Sequence, residues 1–307
     1  MPRPAAQSRL ETLTSKILAR YDELHPLYRS GGISDELLAT FDIVRLPFNF
    51  EILTNEHFNL GLNPPVLFAP RPASDLNLDP VDPQSPSVAF RDYVADNDLE
   101  PYDRASQIHR YLEKLTRRSG TSDLPELCGL RRIRLPNPFL LRGIPRDQSL
   151  PRENTWICQT VLESLPDPEN PENNNMTANP HVTLMNVLAC DGNEDSIQIG
   201  ELASIVVAMN NRLCQPETYG EEDEENLFDN ASRSEIRARK RAFPQEKRFP
   251  VLMISLMGPQ HARLSYACMD GKTLMILQSR LYSFEVEADA PSDFFARFIL
   301  SRPLTER

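Results

Sequence analysis

Apolar and polar positions alternate most regularly between Phe249 and Phe284, where FPVLMISLMGPQHARLSYACMDGKTLMILQSRLYSF reads as three strands closed by a turn. Asp270-Gly271 suits a two-residue hairpin loop, because both residues tolerate positive φ. Counting outward from that loop places Met269 opposite Lys272, Arg263 opposite Gln278 and His261 opposite Arg280. One face then carries Leu264, Tyr266, Cys268, Met275 and Leu277 and is the more deeply buried. The other gathers His261, Arg263, Gln278 and Arg280 at one end. Val251 to Met257 completes the meander, and a helix opened by Pro291 or Ser292 covers it with Phe294, Phe295, Phe298 and Ile299 before Pro303 ends it.

Upstream, helical spacing recurs. Leu10, Leu13, Ile17, Tyr21, Leu24 and Tyr28 predict a helix that starts at a Ser8/Glu11 capping box and ends near Gly31-Gly32. Ser34 caps a shorter helix through Phe41, and Ile108, Tyr111, Leu112 and Leu115 line a helix from Asp103 to about Arg118 with a basic outer face. Trp156 to Leu162 and His181 to Ala189 read as strands, and Leu202, Ile205, Val206 and Met209 mark the inner face of a helix from Ile199 to Leu213.

Between these elements the pattern lapses. The chain holds 27 prolines, and those between 62 and 90 make a linker or extended strap whose Val66, Leu67 and Phe68 either pack on the core or offer a short partner motif, packing being the better expectation. Mobile loops are expected near 165–180 and 215–248, which bury too little to offset their ordering entropy. The organisation that follows is an N-terminal helical segment at 1–61, a Pro-rich linker at 62–90, a helical and basic segment at 91–145, and a core at 150–307. The expected class is α+β, with a C-terminal antiparallel β-meander flanked by helices and with long disordered loops.

Charge narrows the partners. A formal net charge of -11 argues against a broad electrostatic grip on nucleic acid. Protein partners held through the loops are the better expectation. No run of about 18 apolar residues suggests a membrane span, and the N-terminus has no apolar leader, so the expected location is cytoplasmic or nuclear. Arg237, Arg239, Lys240 and Arg241 form a cluster of the nuclear-import kind, with the acidic run Glu221 to Glu225 placed to pair with it.

The signatures of common enzymes are missing. The 5 cysteines are scattered without a CxxC pair, the histidines show no ligand spacing, and neither a Gly-rich phosphate loop nor a Gly-x-Ser-x-Gly elbow is present. No metal, cofactor or catalytic residue is assigned on these grounds. The order helix, three strands, helix resembles the core of restriction-endonuclease-like nucleases of the PD-(D/E)XK type, a likeness of fold alone. That chemistry needs an Asp on the second strand and an acid-x-Lys on the third to hold a metal ion. Here those positions read Gly258-Pro259-Gln260-His261 and Gln278-Ser279-Arg280, which supply no negative charge. A degenerate and inactive nuclease fold is therefore the alternative to an interaction module, and His261, Arg263, Gln278 and Arg280 are the candidate anion-binding residues.

Phe249-Pro250-Val251, Gly258-Pro259-Gln260-His261-Ala262-Arg263, Asp270-Gly271 and Leu281-Tyr282-Ser283-Phe284 resemble a family of uncharacterised proteins of filamentous ascomycete fungi. The resemblance covers roughly the last third of the chain. It implies a fungal source, and it transfers no catalytic residue, since that family has no assigned activity.

Overall fold

The computed structural model describes residues 5–19, 32–54, 63–76, 78, 81, 88–95, 99–119, 122–133, 156–165 and 179–304. Of the two expected mobile loops, most of the one near 165–180 lies outside these residues, as does the C-terminal half of the first expected helix.

Among the described residues, eight α-helices and a mixed sheet make up the body. In chain order they are α1 (Ala5–Ala19), α2 (Asp35–Ala39), β1 (Ile43–Pro47), α3 (Pro101–Leu115), α4 (Leu124–Leu127), β2 (Leu130–Arg132), β3 (Trp156–Ser164) and β4 (Val182–Asp191). There follow α5 (Ile199–Cys214), α6 (Glu221–Asp229), α7 (Arg233–Ala238), β5 (Val251–Gly258), β6 (His261–Asp270), β7 (Thr273–Gln278), β8 (Tyr282–Ser283) and α8 (Ser292–Ile299).

The strands lie in the order β1-β7-β6-β5-β4-β3-β2, with β8 beside β6. Pairing is parallel between β1 and β7 and between β4 and β5, and antiparallel elsewhere. The meander β5-β6-β7 is thus one part of a larger mixed sheet. The sequence pattern missed this because its other members come from segments far apart in the chain. In particular β1, within the segment expected to be helical, supplies the edge strand next to β7.

Period-two alternation sends each strand's side chains to two separate cores. On one face Leu184, Val251, Met253, Ala267, Met269 and Ile276 pack against α5, over which α1 lays Leu10, Leu13 and Ile17. Covered on both sides, α5 is buried nearly all round, its polar Glu201, Ser204 and Arg212 included. On the other face Leu252, Leu264, Tyr266 and Cys268 meet Ile108 and Leu112 of α3 and Phe295 and Phe298 of α8. The strap joins this second core, with Val66, Leu67 and Phe68 buried and the Pro65 carbonyl accepting a 2.8 Å bond from the Tyr266 hydroxyl. Phe68-Ala69 also pairs with Arg302-Pro303.

Two local expectations need correction. Helix α1 starts at Ala5, so Ser8 lies inside it and is not its cap. In the hairpin, Asp270 pairs with Thr273 and the loop is Gly271-Lys272, with Gly271 at φ 60°. Asp270 remains a strand residue, held by a 2.6 Å bond from Arg248. Every partner moves by two positions, so Gln278 stands opposite Ser265 and not Arg263. A shift of two keeps each side chain on its expected face.

The segment 215–248 also departs from a bare loop, since it forms α6 and α7. Opposite charges account for that order, as the ion pairs described below show.

Because Gly271 sits in left-handed backbone, Gly271→Val should cost about 1–2 kcal/mol. Equilibrium urea unfolding measures this, and an unchanged midpoint would contradict the hairpin geometry.

Candidate functional site

Arg263 enters the apolar face of β6 beneath the first turn of α5 and has no solvent exposure. Its Nε donates to Glu201 Oε1 at 2.8 Å, its Nη2 donates to Glu201 Oε2, and its Nη1 donates to the carbonyls of Asn193 at 2.7 Å and Ser196 at 3.1 Å. Glu201, equally buried, also accepts the Gln198 backbone N–H at 2.8 Å. Four of the five N–H donors of this guanidinium are bonded within the chain, and a paired, hydrogen-bonded state is the condition under which a buried charge is tolerated.

Arg45 of β1 holds the same β4–α5 loop from the sheet edge. It bonds Asp35 through Nε at 2.8 Å and donates to the Glu194 and Asp195 carbonyls at 2.8 Å each. Its Nη1 also donates to Gln278 Oε1 at 2.8 Å, so Gln278 is 2% exposed and serves the same clamp.

His261 is half-buried between Met257 and Ser283 on the neighbouring strands. Arg280 lies apart from all three. After Gln278 the strand bulges: Ser279 N–H donates to the Leu264 carbonyl and Ser279 Oγ accepts the Leu264 N–H, both across β6. Pairing resumes only at Tyr282 with Ala262. The bulge carries Arg280 to the surface, where its side chain is 64% exposed.

The four candidates therefore divide. Arg263 and Gln278 belong to the buried clamp, His261 sits at the start of β6, and Arg280 faces solvent.

A second buried ion pair fixes the far end of α5. Arg212 contacts Glu163 of β3 at 2.6 Å, with neither side chain exposed. Burial pulls the Arg212 guanidinium down, and the Glu163 carboxylate opposes that shift. Glu163 is shared with Arg131 of β2 at 2.6 Å, which in turn holds Glu224 of α6 at 2.8 Å.

The carboxylates that a nuclease-type metal centre would need are thereby separated. Glu201 and Arg212 stand eleven residues apart on α5, about 16 Å of helical rise. Asp191 lies on the other face of the sheet, beside Gly258 and Pro101, and Glu153 lies outside the described residues. Among the described residues no three His, Cys, Asp or Glu side chains gather as metal ligands.

What faces solvent is a cleft of about 400 Å³ lined by Pro47, Phe48, Asn49, Glu51, Arg280 and Tyr282. The Arg280 guanidinium lies over the Tyr282 ring at 4.4 Å and reaches Glu51 at 3.3 Å. Tyr282 is backed by the rings of Phe294 and Phe295, at 5.2 Å and 5.5 Å between centroids. Burial first, then the nearby Glu51 carboxylate, pushes the Tyr282 hydroxyl's pKa up, so it is a neutral donor at pH 7. Of these residues only Arg280 was singled out in the sequence. Glu51 and Phe48 gave no signal, because the cleft joins segments more than two hundred residues apart.

Other reactive groups are subdued. Burial pushes the Cys158 thiol to about 12 and lowers His109, bonded to Thr160 at 3.0 Å, to about 4. No helix among the described residues is long and apolar enough to cross a membrane.

Comparison with known proteins finds no matching family model, no similar curated protein and no similar solved structure.

Burial also lowers His181, packed on Phe68 at 5.1 Å between ring centroids, to about 4, and the Arg212 charge adds to the effect. Both His109 and His181 bind a proton more readily in the unfolded chain, near pH 6.5. Their contribution is complete above that pH and is lost as pH falls toward 4. Urea unfolding between pH 7 and pH 4.5 should show declining stability, with a flatter slope in His109→Gln/His181→Phe. An identical slope in that variant would contradict the assignment.

Proposed function

We propose that the chain is a non-enzymatic interaction module that docks a protein partner at the Phe48–Tyr282 cleft and the adjoining rim of β1. One observation carries this reading. The polar side chains most capable of chemistry are consumed by internal ion pairs, whereas the open cleft offers two aromatic rings beside an Arg280–Glu51 pair whose side chains are 64% and 52% exposed. Arginine and tyrosine are enriched among residues that dominate binding energy at interfaces.

Large apolar side chains extend the surface: Val44, Leu46 and Ile52 are 39%, 40% and 44% exposed. The free edge of β1 is less inviting. Asp42 accepts from Leu274 and Phe48 donates to Gln278, so Ile43, Arg45 and Pro47 turn their backbone groups outward. Pro47 has no N–H to offer there, which blunts strand addition. Recognition by side chains in the cleft fits this geometry better than extension of the sheet.

Affinity capture with the native chain, compared with Arg280→Glu/Ile52→Asp, tests the proposal. Both positions are exposed, so the melting temperature should hold. The partner recovered by the native chain should bind the purified variant at least about tenfold more weakly, a loss near 1.4 kcal/mol. Retention of the same partners at the same Kd would overturn it.

A further inference from the structure

The basic run Arg237-Ala238-Arg239-Lys240-Arg241 has no part in the cleft or in the clamp on α5. It leaves the end of α7 in extended conformation, Arg239 having ψ 155°. Arg237, Arg239 and Lys240 are exposed and Arg241 is half-buried. Asp223 of α6 takes Arg239 in a two-pronged ion pair, with Nη1 to Oδ2 at 2.7 Å and Nη2 to Oδ1 at 2.8 Å. The Asp223 carboxylate also accepts the Tyr219 N–H at 3.0 Å, which aims it. Arg241 reaches Glu11 of α1 at 3.4 Å. The backbone is engaged as well: Glu217 N–H donates to the Lys240 carbonyl at 2.8 Å, and Ala242 N–H donates to the Gln215 carbonyl at 2.9 Å.

Helix α6 is itself anchored to the sheet edge, through Glu224 and Arg131. It therefore presents one carboxylate inward for support and another to the basic run. Short Arg/Lys-rich runs are of the nuclear-import kind, and a partner's acidic groove would offer this one the charge-assisted carboxylate contacts that it already makes within the chain. In this chain the carboxylates come from α6 and α1.

We propose that Arg237–Arg241 is a docking segment for such an acidic-grooved partner, and that Asp223 and Glu11 mask it within the chain. Binding then requires the segment to leave Asp223, Glu11 and its backbone pairing with residues 215–217. An exposed ion pair is worth at most about 1 kcal/mol, so its removal should tighten binding about fivefold.

The test uses the full chain and a purified import adaptor on a biosensor. Asp223→Asn should bind about fivefold tighter than the native chain, with Glu11→Gln giving a smaller gain. Arg239→Ala/Lys240→Ala should abolish binding. Glu11 lies on α1, so the second variant keeps the test valid should Asp223→Asn disturb α6. Affinities that are equal across native chain, acid variants and alanine variant would overturn the proposal, as would gains confined to heparin or anionic vesicles. A lower melting temperature for Asp223→Asn without any change in adaptor affinity would assign the ion pair to structure alone and also overturn it.

Discussion

Two charges placed where no water reaches them hold this fold in register. Arg263 rises from near the start of a strand and Glu201 descends from the first turn of the helix above it, and a two-pronged ion pair joins them. The same guanidinium ties down the carbonyls of the loop that feeds the helix. At the opposite end the buried Arg212 guanidinium stands 2.6 Å from the Glu163 carboxylate as an ion pair, while its hydrogen bonds go to Gln215 and the His181 carbonyl. An acid in the first turn and a base in the last also complement the helix dipole. To this apolar packing the paired buried charges add contacts that are met at one position of α5 over the sheet. The specificity lies in the cost of leaving either partner alone.

That arrangement explains why residues that look chemical are not grouped for chemistry. A carboxylate that already accepts an arginine's fork and a backbone N–H has little left for a metal or a substrate. The polar groups of the cleft stand at the edge of the sheet, where the strand bulge at Ser279 expels Arg280. There the aromatic residues of the second core reach the surface and form the floor of a shallow cleft.

Much of the architecture was legible in the sequence. The faces of β6 and β7 follow from alternation, which survives a two-residue change in the turn. The helices α5 and α8 announced themselves by apolar spacing, and β4 by a nearly continuous apolar run of the kind buried on both faces. The turn itself was not decidable, because Asp270-Gly271 and Gly271-Lys272 both place glycine where positive φ is needed. Strand β1 was missed because five residues far from their partner carry no pairing signal. The bulge was missed because a serine hydroxyl replaces a backbone group in the ladder. Segment 215–248 read as a solvated loop because its opposite charges attract one another only once the chain brings them together. A single Arg within an apolar strand and a single Glu within an apolar helix did offer a clue, since isolated buried charges require each other.

The most direct test is a double-mutant cycle on the buried pair, measured by equilibrium unfolding of the native chain, Arg263→Met, Glu201→Leu and the combined variant. Each single change should cost about 3–5 kcal/mol, and the combined variant should lose much less than the sum. Losses that add to within about 0.5 kcal/mol would show that the two side chains do not depend on each other, and the clamp on α5 would have to be abandoned.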